Sequence, residues 1–375
     1  MMLWKKKVGE VVVLQHKGNG CKITLLIGSL SGGGAERVTC NLANYLLKNG
    51  YNVDVLTLSN KNDSYRLADG VKRINLLDET ERTNKIKNLS IKWKRLKKYV
   101  KENQDISCYV TLLPISVFML MRLKKYIKCK IIISERNNPA SYGMVDRFMM
   151  NYGAKRCDGL VVQTKEIDKW YSWVEKRIII PNAINEDVFI PERKGIKKKI
   201  VAVGRLNKQK NYPMIIRSFG IFSEKHPDYR LEIFGQGGEE GYLKRLIEEY
   251  DLQEKVEIKG YVKDVSRQIS DAACFVMASD YEGMPNALIE AMCIGIPCVV
   301  TDCDGGGARE LINNMENGIL IKKGAIEDMA HGMSLVIENE KLSKKISENA
   351  KLLKKKLDAD RIYGEWLDFI EEVIR

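Results

Sequence analysis

Two doubly wound α/β domains in tandem, each on a parallel sheet, are the architecture this sequence predicts. Three observations point there. Short β-rich runs alternate with longer amphipathic segments, the alternation lapses once near the middle and starts again, and 375 residues suffice for two or three hydrophobic cores.

In the first cycle the expected strands are 22–28, 52–58, 106–112, 130–134, 159–163 and 177–181, with a helix over 35–48. The apolar run 110–121 contains Pro114 and Ser116, so it reads as a strand end passing into a buried helix. The pattern lapses over 182–199, which carries Pro191, Gly195 and a lysine run and is expected to be the linker. The second cycle has strands expected at 200–204, 230–234, 255–259, 274–278, 298–301 and 318–321, helices at 212–224, 241–250 and 287–293, and a helical tail over 326–375. Two such domains place a cleft between the carboxyl ends of their sheets, where open α/β sheets hold ligands.

Composition narrows the function classes. With 45% hydrophobic and 30% charged residues and eight prolines, the chain is globular and neither disordered nor collagen-like. The nine cysteines fall in no metal or disulfide spacing and are expected to be reduced thiols. No run approaches the length of a membrane span, and the short apolar run 11–14 lacks a cleavage site, so the chain is expected to be cytoplasmic. The net charge of +13 is unevenly placed: residues 1–190 hold 33 basic and 18 acidic side chains, net +15, against 29 and 31 in the remainder, net −2. Segments 92–99 and 122–128 interleave Lys and Arg with apolar residues. They read as solvated helix faces or as a surface for anionic lipid at the inner face of the cell membrane; no nucleic-acid-binding signature accompanies them.

Five segments at expected strand ends carry chemistry. The loop 28–37, Gly-Ser-Leu-Ser-Gly-Gly-Gly-Ala-Glu-Arg, exposes backbone amides at Gly33 and Gly34 before a helix, which suits a phosphate or is merely a turn. In 203–211, after Gly204, the fork of Arg205 and the point charge of Lys210 suit a diphosphate, or form a solvated basic loop. In 282–290, Glu282 precedes Gly283, Met284 and a helix start at Pro285 and Asn286. Ala287 and Leu288 follow, with Glu290 inside an otherwise apolar or small run. Segment 299–310 is another strand, glycine loop and helix start. Segment 133–139 ends a first-half strand with Glu135, Arg136 and Asn137.

In order and spacing, these segments resemble glycosyltransferase family 4, the retaining nucleotide-sugar transferases of the GT-B fold, as in bacterial surface-polysaccharide synthesis. That fold has two Rossmann-like domains facing across a cleft, and the resemblance covers nearly the whole chain. It implies an acceptor-binding domain over 1–190, a nucleotide-sugar domain over 191–355, and a final helix over 356–375 returning to the first. It also implies that Arg205 and Lys210 hold the donor diphosphate, Gly33 and Gly34 approach it across the cleft, and Glu290 binds ribose. Glu282 and the amides of 283–287 would bind the transferred sugar, with Glu282, Arg205 and Lys210 as the catalytic set. The implied reaction moves a hexose or N-acetylhexosamine from a nucleotide sugar, UDP by family frequency, to a glycan or lipid-linked acceptor, with no cofactor and no metal.

The chain departs from the family's pattern at one strand end. Many relatives place a histidine near the donor sugar, whereas His16, His226 and His331 all lie elsewhere, so Glu135, Arg136 or Asn137 is expected on the acceptor side. Asp304 also stands where relatives often have proline. Three alternatives are a sugar phosphorylase of the same plan, a dinucleotide-dependent oxidoreductase, which the missing glycine fingerprint disfavours, and a polybasic lipid- or RNA-binding module without catalysis.

Overall fold

The computed structural model describes residues 20–60, 64–184 and 191–375. The run 11–14, His16 and part of the expected linker, 185–190, lie outside the described residues. Among the described residues the first sheet has seven strands: β1 (Lys22–Ile27), β2 (Asn52–Thr57), β3 (Lys72–Asn75), β4 (Ile106–Leu112), β5 (Lys130–Ser134), β6 (Gly159–Val162) and β7 (Arg177–Ile179). All pair in parallel, in the order β3-β2-β1-β4-β5-β6-β7. The second has six: β8 (Lys197–Val203), β9 (Arg230–Phe234), β10 (Val256–Gly260), β11 (Ala272–Met277), β12 (Cys298–Thr301) and β13 (Ile319–Ile321). These are also parallel, in the order β10-β9-β8-β11-β12-β13. In each sheet the order reverses beside the first strand, β1 or β8, which opens a crevice at the carboxyl ends there.

Helices α1 (Gly34–Lys48), α2 (Lys85–Glu102), α3 (Pro114–Arg122), α4 (Met144–Ala154) and α5 (Lys165–Trp170) belong to the first cycle. The chain steps one way from β1 to β3 and the other way from β3 to β7. Right-handed crossovers therefore put α1 on one face of the sheet and α2 to α5 on the other. Side-chain packing agrees. Val38, Leu42 and Leu46 of α1 share a core with the C-terminal helix, while Leu96, Val117, Met150 and Ile167 from α2, α3, α4 and α5 share another.

The second cycle supplies α6 (Tyr212–Lys225), α7 (Glu240–Glu249), α8 (Val265–Ile269), α9 (Asn286–Ile294) and α10 (Gly307–Leu311). The tail is four helices: α11 (Ile326–Glu338), α12 (Glu340–Lys351), α13 (Leu353–Lys356) and α14 (Ala359–Ile374). While α11 packs on α6 and both α12 and α13 on α9, α14 lies against α1, β4 and β5. Asp358 caps α14, accepting from the Arg361 amide at 3.2 Å. Trp366 and Ile370 are buried among first-sheet residues, and Tyr51 Oη donates to Glu371 Oε1 at 2.6 Å. A Cβ at Gly159 would stand 2.9 Å from Val373, so this glycine lets β6 approach α14.

Strand expectations agree with the structure to within one to three residues at each end except at β3, which has no counterpart among them. Its sequence, Lys-Arg-Ile-Asn, holds one aliphatic residue and forms a half-exposed edge, so it carries no apolar run to read. All nine cysteines are free thiols, and Cys298, fully buried, has its pKa pushed well up by desolvation. No helix of the described residues is long and apolar enough to cross a membrane.

Candidate active site

The carboxyl end of β8 runs into Gly204, at φ +155°, whose carbonyl accepts from Tyr212 Oη at 2.9 Å. Asn207 then caps a tight turn over 208–210, and Asn211 adopts the left-handed conformation, held to Asp280 at 3.1 Å. This geometry swings the Lys210 ammonium inward onto Glu282 Oε1, 2.5 Å away, with both side chains largely buried. Ser279 Oγ donates to the same oxygen at 2.9 Å. Arg205 is exposed at the same strand end and makes no ion pair with another described residue.

Segment 282–287 is held by close backbone approach. A Cβ at Gly305 would lie 2.1 Å from the Glu282 carbonyl, and one at Gly307 1.9 Å from the Gly283 carbonyl. The second glycine loop therefore serves as a bed for the first. Asp304 points away from it, to Lys323 at 2.7 Å. At Gly283 a Cβ would meet Gln163 Oε1 at 2.4 Å and the Arg136 carbonyl at 2.9 Å, so only glycine lets this loop touch the first half. Met284 and Leu288 are buried, and Asn286 begins α9.

Several contacts close the cleft. Arg37 Nη1 of α1 binds Glu290 Oε1 of α9 at 2.8 Å, and Ser266 Oγ lies 3.4 Å from the other oxygen. Asn182 Nδ2 donates to the Met284 carbonyl at 3.1 Å and to Asn286 Oδ1 at 2.9 Å. Gly34 faces the Asn286 amide, 3.0 Å from where its Cβ would be, and Gly33 caps α1 without a side chain. Thr164 donates to the Gly305 carbonyl at 2.7 Å, the Gly305 amide donates to Glu166 at 2.8 Å, and Arg309 binds Glu166 at 2.8 Å.

The strand end 135–137 is arranged differently from an open acceptor site. Glu135 is fully buried, its Oε1 accepting from the amides of Arg136 and Asn137 and from Tyr142 Oη at 2.6 Å, its Oε2 from Tyr171 Oη at 2.8 Å. Burial raises its pKa, against the opposing pull of these donors. With every donor turned inward, Glu135 shapes the loop and presents no face to the cleft. Arg136 stacks its guanidinium 5.2 Å from the Trp366 ring and donates to Asn182 Oδ1 at 3.1 Å, while Nε and Nη2 are buried without a partner among the described residues. Burial lowers its pKa to about 10. The Asn137 side chain accepts from the Asn138 amide at 2.9 Å.

Sequence reasoning assigned no role to Arg37, Gln163, Asn182 or Ser279. Arg37 lay within a motif already singled out, and Asn182 stood at the start of the expected linker. For Gln163 no local signal exists, because its neighbours Asn182 and Gly283 are distant in the chain, whereas Ser279 lies only three residues before Glu282 but in a segment with no motif of its own.

Comparison with known proteins gives the arrangement a family. Residues 184–353 match the model of glycosyl transferases group 1, and residues 29–138 match that of glycosyl transferase 4-like proteins. An uncharacterized glycosyltransferase of Methanocaldococcus jannaschii is 30% identical over 315 residues, 69% of this chain and 77% of its own. A Campylobacter jejuni α-1,4-N-acetyl-D-galactosaminyltransferase, named for a diphospho-undecaprenol-linked acceptor, is 26% identical over 359 residues, 94% of this chain and 99% of its own. Among solved structures, S. aureus TarM in complex with fondaparinux, α-GlcNAc-glycerol and UDP superposes with a TM-score of 0.77 at 16% identity, covering 93% of this chain and 99% of that one. Two parallel sheets meeting at glycine-rich strand ends, with both family models matched in order along the chain, thus make this protein a member of the family-4-like glycosyltransferases of the GT-B fold.

Proposed function

We propose that this glycosyltransferase moves a hexose or N-acetylhexosamine from a UDP-sugar to a polymeric or lipid-linked glycan, retaining the anomeric configuration and using no metal ion. The observation that carries the reading is the Lys210–Glu282 pair beside the opening of α9, with Arg205 exposed at the same strand end. Lys210, Arg205, the amides of 283–287 and the positive end of α9 form a fixed electropositive wall against a departing diphosphate. Glu282 then accepts from sugar hydroxyls while staying paired to Lys210, and Glu290 shares its carboxylate between Arg37 and the ribose.

The acceptor oxygen bonds to the anomeric carbon on the face from which the diphosphate oxygen departs, and the acceptor proton passes to that phosphate oxygen. The Arg136 carbonyl, beside Gly283, stands in for the histidine that many relatives place there. UDP and an α-linked sugar are favoured by the ligands of TarM, and a lipid-linked acceptor by the Campylobacter relative. Such an acceptor would bring the basic first half to the inner face of the cell membrane.

Thermal-shift screening with UDP-, GDP- and ADP-sugars tests the donor, since a native-state ligand raises the melting temperature by mass action. NMR of the product's anomeric proton tests retention, and an inverted product overturns it. Turnover unaffected by EDTA is expected, and a requirement for added divalent ions would refute metal independence.

A further inference from the structure

We propose that the outer surface of the α2–α5 layer is a docking face for an anionic lipid bilayer, with the first turns of α4 entering the headgroup region. The inference sharpens the membrane reading above by naming the surface, and its test is independent of transfer chemistry.

Exposed apolar residues carry the argument. Among the described residues of the first half, every large hydrophobic side chain that is exposed lies on this layer and none on the α1 face. Met144, Val145 and Phe148 at the start of α4 are 89%, 70% and 59% exposed. Ile115 opens α3, α2 contributes two near its own start, and Trp170 and Trp173 stand at and just beyond the end of α5. Phe148 is part of a ring cluster with Phe118 and Tyr152, at centroid distances of 5.4 to 6.2 Å, so α3 and α4 present one ridge.

The same layer concentrates cations. Residues 85–102 and 114–128 carry twelve Lys and Arg and one acid, Glu102. The ammoniums of Lys97, Lys101 and Lys125 lie 5.3, 5.0 and 5.1 Å from the Tyr126 ring, joining α2 to the turn after α3. None of the three pairs with a carboxylate among the described residues. Helices of a parallel α/β sheet begin at the carboxyl ends of its strands, so the apolar starts of α2, α3 and α4 lie toward the cleft and the lysines toward the opposite end.

Nucleic acid would account for the lysines but not for bare Met, Val and Phe on the same layer. An anionic interface accounts for both, with Trp at the headgroup level, apolar side chains just below it and Lys at the lipid phosphates. Docked this way, the protein brings its cleft mouth to the surface from which a lipid-carried acceptor projects.

The test is co-sedimentation with phosphatidylcholine vesicles containing about one-third phosphatidylglycerol, against phosphatidylcholine alone. Binding is expected only to the anionic vesicles and to weaken with salt. Met144→Ser, Val145→Ser and Phe148→Ser together should lower the partition coefficient about tenfold. Lys97→Glu, Lys101→Glu and Lys125→Glu together should do the same and weaken the salt dependence. Both variants should keep native circular dichroism and transfer to a short soluble acceptor, and brominated lipid should quench Trp170 and Trp173. Equal binding by wild type and both variants overturns the proposal. So does a concentration-dependent dimer that the α4 substitutions dissolve, which would make the face a contact between copies. Vesicle binding through this face without any turnover of nucleotide sugar would leave the docking face standing and refute the transfer reading instead.

Discussion

On the β8 side of the cleft, the segment from Glu282 to Asn286 is clamped largely by its own half of the chain, through Lys210, Ser279, Gly305 and Gly307. On the β1 side, the facing groups Arg37 and Asn182 come from widely separated elements and reach partners across the cleft, while Gln163 bonds Asn182 and packs against Gly283. One wall is thus assembled within its own half, whereas the other is completed by closure. Substitutions on the first wall should destroy chemistry, and those on the second should mainly change how the donor is held.

The largest effect is expected from Lys210→Ala, which removes a fixed cation from the leaving group and leaves Glu282 buried without its partner. A fall in kcat of about 10²- to 10³-fold follows. Arg205→Ala and Glu282→Gln should each lose most turnover as well, and near-wild-type steady-state rates in either would exclude that side chain from the site. Next comes Gly283→Ala, whose methyl group overlaps Gln163 and the Arg136 carbonyl; we expect about 1–3 kcal/mol of destabilisation by denaturant titration and impaired closure. If its stability and scattering profile match wild type, the halves are not in contact at this point in solution.

Trp366→Ala separates the two regions by another route. It deletes a buried ring from the α14 seam and the platform under Arg136, and should cost about 3–5 kcal/mol while leaving the Lys210–Glu282 wall intact. The smallest effect is assigned to Arg37→Ala. Loss of the cross-cleft pair should raise the donor KM roughly threefold to tenfold with little change in kcat, which amounts to about 1 kcal/mol of uniform binding. A kcat loss as large as that of Lys210→Ala would place Arg37 among the groups that act on the transition state.

Much of this was legible before any fold was known. Segment 203–211 announced a strand end and a basic loop carrying Arg205 and Lys210, because a run of aliphatic residues ending at Gly204 leaves the cations that follow outside the strand. Glu290 stood out as a charge inside an apolar helix. The strand end at 135–137 was read as far as its location but not its orientation. Nothing local states that Tyr142 and Tyr171 will converge on Glu135 and turn its carboxylate inward. Nor does anything local state that segment 305–307 serves chiefly to support segment 282–284. The edge strand β3 escaped notice because its pairing with β2 depends on backbone hydrogen bonds that charged side chains neither reveal nor prevent.

From the sequence alone came the tandem parallel sheets, the places where each strand meets a glycine-rich turn, and the concentration of cations in the first half. These follow from periodicity and turn chemistry that act over a few residues at a time. Tertiary structure alone decided that Arg37 meets Glu290 across 253 positions of chain, that Asn182 bridges to α9, and that the exposed apolar side chains of the first half share one helical layer. Such pairings depend on how whole elements pack, a cooperative property of the folded chain that no short segment holds.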